Sequence, residues 1–172
     1  MSEEADLPRV TQILKGAGLI DTTWFTDYGR DRGTALHLAT EYLDRGDLDK
    51  DSLDPAIAPM VDSYRLFLKE VQPEILSVEE EVENPLSHYR GRLDRRVRVG
   101  RWTGILDIKS GGPADWHAIQ LAAYAGCFPG PMHRWGLYLS DTGYRLIEYK
   151  DRGDWPVFVA ALTLFHWRKN HA

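Results

Sequence analysis

Residues 89–109 read YRGRLDRRVRVGRWTGILDIK, and the pattern of this stretch decides the fold. From 89 to 99 the chain alternates. Leu93, Val97 and Val99 fall on one parity, and Arg92, Asp94, Arg96 and Arg98 on the other, which is the period-two signature of a strand. Gly100-Arg101 makes a tight turn into 102–109, where Ile105 to Ile108 is nearly all apolar. Such a run suits a central strand covered on both faces. Gly111-Gly112-Pro113 then breaks the chain.

Working outward from this hairpin, the period differs on either side. Just upstream, after Pro73, Leu76, Val78 and Val82 alternate with charges and predict a half-buried strand. Further upstream the spacing is helical. Residues 8–16 form a short helix opened by Pro8 and closed near Gly16 and Gly18. Residues 33–45 carry Leu36, Ala39, Tyr42 and Leu43 at helical spacing, with Gly46 at the C-cap position. Residues 55–71 carry Ile57, Met60, Val61, Tyr64, Leu66, Phe67 and Leu68, with Asp54 as the N-cap. Downstream, 114–127 predicts a helix, 133–139 and 143–150 a hairpin around Ser140-Asp141-Thr142-Gly143, and 154–170 a last amphipathic helix. Three helices, three strands, a helix, two strands and a helix define an α/β domain, with a mixed central sheet of about five strands flanked by helices.

There is no internal repeat, low-complexity tract or long linker. The expectation is a single domain over 1–172, with a helical part at 1–72, a sheet core at 73–150 that includes the helix 114–127, and a C-terminal helix at 154–170. A chain of 172 residues, 43% hydrophobic and 27% charged, has the size and composition for one core. Six Trp, eight Tyr and five Phe supply bulky interior material without disulfides. Cys127 is the sole cysteine, which excludes an intramolecular disulfide, a Cys-rich zinc site and an iron–sulfur cluster. The opening MSEEADLPRV has neither an apolar core nor a basic start, and no apolar run is long enough to span a bilayer. No membrane association and a cytoplasmic location are therefore expected. Twenty-one Lys and Arg against 26 Asp and Glu give a net charge of -5. That argues against coating nucleic acid by charge alone, but not against an acidic metal site beside a local basic patch.

The chemistry concentrates at Asp107 and Lys109. Two residues apart on a strand, they point to one face, while Leu106 and Ile108 point to the other. A carboxylate and an ammonium at the end of a buried strand need each other, a metal or a substrate anion. A structural ion pair satisfies this requirement equally well. The hairpin can bring Asp94 near Asp107, and two close carboxylates repel unless a cation lies between them. Oxygen ligands of this kind suit Mg²⁺ or Mn²⁺. Lys109 can orient or deprotonate an attacking water, or steady a phosphate oxygen. Arg92 and Arg96 share the parity of Asp94 and are candidates for phosphate contact, although Arg90, Arg92, Arg95, Arg96, Arg98 and Arg101 also read as a solvated hairpin. Trp116 and His117 precede the face of Gln120 and are candidates to touch substrate.

Gly91-Arg92-Leu93-Asp94, then Asp107-Ile108-Lys109, then Gln120 and Tyr124 four residues apart resemble the PD-(D/E)XK nuclease superfamily. The likeness is closest to its RecB-type and phage exonuclease branch, and the upstream Gly33-Thr34-Ala35-Leu36-His37 fits that branch as well. The resemblance implies a restriction-endonuclease-like core. It makes Asp94 and Asp107 metal-binding carboxylates, His37 and the Ile108 backbone carbonyl further ligands, and Lys109 the catalytic lysine. Gln120 and Tyr124 would line the site and position DNA. Glu79 matches an acidic position of the family, with its register left open by Glu79-Glu80-Glu81. Glu41, four residues after His37, is either an auxiliary acid or a helix-surface partner.

The resemblance also implies Mg²⁺ or Mn²⁺ as cofactor and no iron–sulfur cluster, since Cys127 stands alone. The expected activity is hydrolysis of DNA phosphodiester bonds, by an exonuclease of phage or bacterial recombination and repair in a bacterial or phage-infected cell. Expected partners are DNA, a phage or host recombination protein, and further copies of the chain in a homo-oligomer. Two alternatives stay open: a structure-specific or nicking endonuclease of the same fold, and a catalytically silent DNA-binding or assembly module.

Overall fold

A computed structural model describes residues 7–21, 23 and 26–171; residues 1–6, 22, 24, 25 and 172 of the expected domain lie outside the described residues. The elements follow the expected order: α1 (Val10–Gly16), α2 (Asp27–Arg45), α3 (Ala58–Val71), β1 (Glu74–Asn84), β2 (Tyr89–Val99), β3 (Trp102–Lys109), α4 (Asp115–Ala125), β4 (His133–Ser140), β5 (Gly143–Glu148) and α5 (Asp154–Asn170). The five strands form one mixed sheet in the order β1-β2-β3-β4-β5. Only β3 and β4 run parallel, because α4 carries the chain back between them; hairpins join the other neighbours.

Helices cover both faces of the sheet. Under α1, α4 and α5 lie Val10, Leu14, Leu93, Ile105, Leu121 and Phe158. Under α2 and α3 lie Leu36, Met60, Tyr64, Val97, Leu106 and Ile108. The apolar side of β2 therefore does not keep to one face as its alternation predicts: Leu93 belongs to one core and Val97 to the other. The change of phase falls between them, at Asp94 and Arg95, where the ladder to β3 ends at Arg95↔Leu106. Beyond that pair the Asp94 side chain takes over from the backbone, and its Oδ2 accepts the Ile108 amide at 2.6 Å.

Helix starts also differ from expectation. α2 begins at Asp27, because the Thr26 side chain accepts the Gly29 amide and Asp27 sits at the positive end of the helix. The polar run Asp27–Arg32 hides this turn from any search for apolar spacing. Gly46 does cap α2 in the left-handed conformation, with φ 78°. α3 is capped by Ile57; Asp54 instead closes the preceding turn, accepting the Ala56 amide at 2.8 Å. Pro8 lies before α1, and its carbonyl accepts the Arg90 amide, tying the N-terminal segment to β2. Among the described residues, no helix is long and apolar enough to cross a membrane.

Candidate active site

The C-terminal end of β3 carries the site. Ile105, Asp107 and Lys109 share the parity facing α4, while Leu106 and Ile108 are buried toward α2 and α3. Asp107 is 3% exposed. Lys109 Nζ approaches its Oδ2 at 2.8 Å, off the line a hydrogen bond needs, so this buried oxygen makes no hydrogen bond. Burial raises the Asp107 carboxyl above its ordinary value. The Lys109 charge opposes that rise, and Asp94 adds to it. Burial alone would depress the Lys109 ammonium, but Asp107 and then Asp94 outweigh it and hold it above its ordinary value. Lys109 is therefore a cation at neutral pH, suited to steadying charge or orienting water rather than to taking a proton.

α4 supplies the wall beside this pair. Lys109 Nζ donates to Gln120 Oε1 at 3.2 Å, and Gln120 Nε2 donates to the Tyr124 hydroxyl at 3.1 Å. Both α4 residues are buried, one turn apart. Gly91 explains how they come so close to β2. A Cβ there would lie 2.5 Å from Tyr124 Cε1, so only glycine lets the ring pack flat against the strand. Lys109 Nζ also sits 5.2 Å from the Trp116 ring centroid.

Three donors converge on the other side. Single ligand atoms of His37, Glu79 and Asp94 all lie within 4.8 Å of one another. His37 Nδ1 is 3.5 Å from Asp94 Oδ1. Of the three consecutive glutamates, Glu79 is the one that reaches this cluster. It sits in β1 at φ 51°, a conformation that costs an L residue on the order of 1 kcal/mol and that accumulates at functional sites. Glu80 instead pairs with Arg96 and accepts from Ser77, and Glu81 is exposed. Burial, then the Asp94 charge, raises the Glu79 carboxyl above its ordinary value against the pull of Arg92 and Arg95. Asp107 stands outside this trio, turned to Lys109. One imidazole and two carboxylates whose ligand atoms lie within 4.8 Å of one another fit a hard divalent cation such as Mg²⁺ or Mn²⁺.

The remaining expected residues divide. Trp116, His117, His37 and Lys109 line one cleft of about 440 Å³ together with Arg32 and Gly112. Arg92 is exposed and pairs with Glu79 Oε2 at 2.9 Å, at the rim of the donor trio. Arg96 is occupied by Glu80 and by the Phe128 ring, neither of which lines that cleft. Glu41 pairs with Arg45 one turn on, not with His37.

Arg95 is a correction. Expected among solvated arginines, it is wholly buried, with Asp44 Oδ2 at 2.5 Å from its Nε. Its parity with Leu93 and Val97 was the available signal for an inward side chain. Arg32 lines the cleft without having been singled out by any motif.

No protein-family model matches the chain, and no curated protein matches it. The fold is similar to a solved structure described as "Crystal structure of SSO0001", with 14% identity and a TM-score of 0.45 over 94% of this chain and 75% of that one. A likeness that distant identifies no family.

Proposed function

We propose that the chain is a Mg²⁺- or Mn²⁺-dependent deoxyribonuclease, acting as an exonuclease in phage or bacterial recombination and repair. One observation carries the reading. Residues far apart in sequence (His37 on α2, Glu79 on β1, Asp94 on β2, and Asp107 with Lys109 on β3) meet at the end of a central strand beside an open cleft. Their agreement with the superfamily motifs supports DNA as substrate.

His37, Glu79 and Asp94 would hold the cation, with Asp107 and the Ile108 carbonyl as nearby candidates. A bound divalent cation supplies charge for a phosphoryl oxygen and acidity for a water. The chain's own residues do the rest. Lys109 presents a fixed ammonium to a phosphate oxygen or to the attacking water. Gln120 accepts from that ammonium and is itself fixed by donating to the Tyr124 hydroxyl. Exposed Arg92 is placed to meet a backbone phosphate at the rim. Trp116 offers an aromatic face on which an unpaired base can stack.

Incubation with linear and closed circular duplex DNA, with Mn²⁺ or EDTA, tests this. The expectation is metal-dependent degradation of linear DNA, with Asp107→Asn and Lys109→Ala each slowing it by about 100-fold or more. Cleavage of closed circles would indicate an endonuclease instead. No cleavage of any DNA, or cleavage indifferent to both substitutions, would overturn the proposal.

A further inference from the structure

Behind the donor trio lies a second polar cluster that no part of the proposed chemistry uses. Its centre is Arg95, with a fully buried side chain. Nε donates to Asp44 Oδ2 at 2.5 Å, and that oxygen also accepts from the Tyr64 hydroxyl at 2.7 Å. Nη2 donates to Thr40 Oγ1 at 3.2 Å, and Thr40 in turn donates to the His37 carbonyl at 2.9 Å. Nη1 donates to the Asp94 carbonyl at 2.7 Å and lies 3.4 Å from Glu79 Oε1. Each of the three converging donors is thus reached from one guanidinium: Glu79 at its carboxylate, Asp94 at its backbone, and His37 through Thr40.

We infer that Arg95 is a positioning residue that sets the spacing of His37, Glu79 and Asp94 from behind, and so tunes the affinity of the site for a divalent cation. This rests on the metal-site reading above. The geometry says why an arginine stands there. A planar fork can serve acceptors on α2, β1 and β2 at once, which a lysine ammonium on a flexible stem cannot. Burying it is costly unless every donor is used, and here Asp44 provides the charge partner while the other acceptors belong to or touch the trio. Glu79 also needs such a partner. Its backbone is held at positive φ, and its carboxylate faces Asp94, so without Arg95 and Arg92 it would be free to turn away. Partners behind metal ligands commonly change metal affinity by about 10- to 100-fold when removed.

Mn²⁺ titration, followed by the loss of the free-ion paramagnetic resonance signal, tests the inference without reference to catalysis. Arg95→Lys keeps the charge and loses the fork; Thr40→Val keeps the shape and loses both the Nη2 acceptor and the bond to the His37 carbonyl, leaving the Arg95 contacts to Asp44, Asp94 and Glu79 in place. Circular dichroism reports folding in each. Wild type should bind Mn²⁺, Arg95→Lys should bind about 10-fold more weakly or worse, and Thr40→Val should weaken binding several-fold while folded. If Arg95→Lys does not fold, Thr40→Val decides. A folded variant with the wild-type affinity would overturn the role of Arg95 and leave the metal site standing. Absence of Mn²⁺ binding by the wild type would overturn both.

Discussion

Lys109 and Asp107 bury opposite charges at the end of one strand, and neither can be removed alone without consequence. Lys109→Met leaves Asp107 without its counter-charge and should destabilise the protein by on the order of 3 kcal/mol, a loss largely recovered by adding Asp107→Asn. In the single variant the carboxyl is raised still further, so the folded chain holds a proton that the unfolded chain has released. Stability therefore falls as pH rises above the ordinary carboxylate range, and denaturant titrations at pH 5 and pH 8 should show the larger deficit at pH 8.

His117 behaves in the opposite sense. Its Nδ1 accepts the Ala114 amide at 3.2 Å and lies 2.8 Å from the Tyr138 hydroxyl, which fixes the neutral tautomer with its proton on Nε2. Burial, then the Lys109 charge, pushes it down from 6.5 to about 4. Between those values the unfolded chain binds a proton that the folded chain refuses. The contribution of His117 is therefore present above 6.5 and is lost as pH falls toward 4. Chemical denaturation at pH 7 and pH 5 should show a wild-type loss that His117→Asn reduces; an unchanged slope would contradict this.

At the scale of elements, β2 and α4 explain both what the sequence showed and what it hid. Strand alternation located β2, an apolar run located β3, and the two glycines after Lys109 marked where β3 opens into a loop. Those signals are local, so they survived folding. Alternation could not show that β2 changes phase at Asp94, because that depends on which helix packs on which face. It did place Arg95 inward by parity, but a run of arginines suggested solvent. Helix starts were missed for a similar reason: the Thr26 cap of α2 is a polar contact, invisible to apolar spacing. The contact of Gly91 with the Tyr124 ring ties these two elements together. Gly91→Ala forces a methyl group into a gap of 2.5 Å and should cost about 1–3 kcal/mol in equilibrium unfolding, with Tyr124→Leu restoring part of it in the double variant.

The whole molecule brings five elements to one point, and that convergence is what single-chain pattern reading sees least well. Motif order pointed to His37, Asp94, Asp107 and Lys109, and the fold gathers them with Gln120 and Tyr124 at the end of β3. It picks Glu79, already a candidate, from three consecutive glutamates through a positive-φ backbone that no spacing announces, turns Asp107 toward Lys109, and hides Arg95 behind the cluster. The α/β architecture, with one parallel pair created by α4, is what allows donors from α2, β1 and β2 to meet near the end of β3. The central claim is that this convergence is a divalent-metal site. Anomalous diffraction from crystals grown with Mn²⁺ tests it most directly. The expected result is a peak bounded by the His37 imidazole and the Glu79 and Asp94 carboxylates, close to Asp107; manganese found only elsewhere on the molecule, or none at this position, would contradict it.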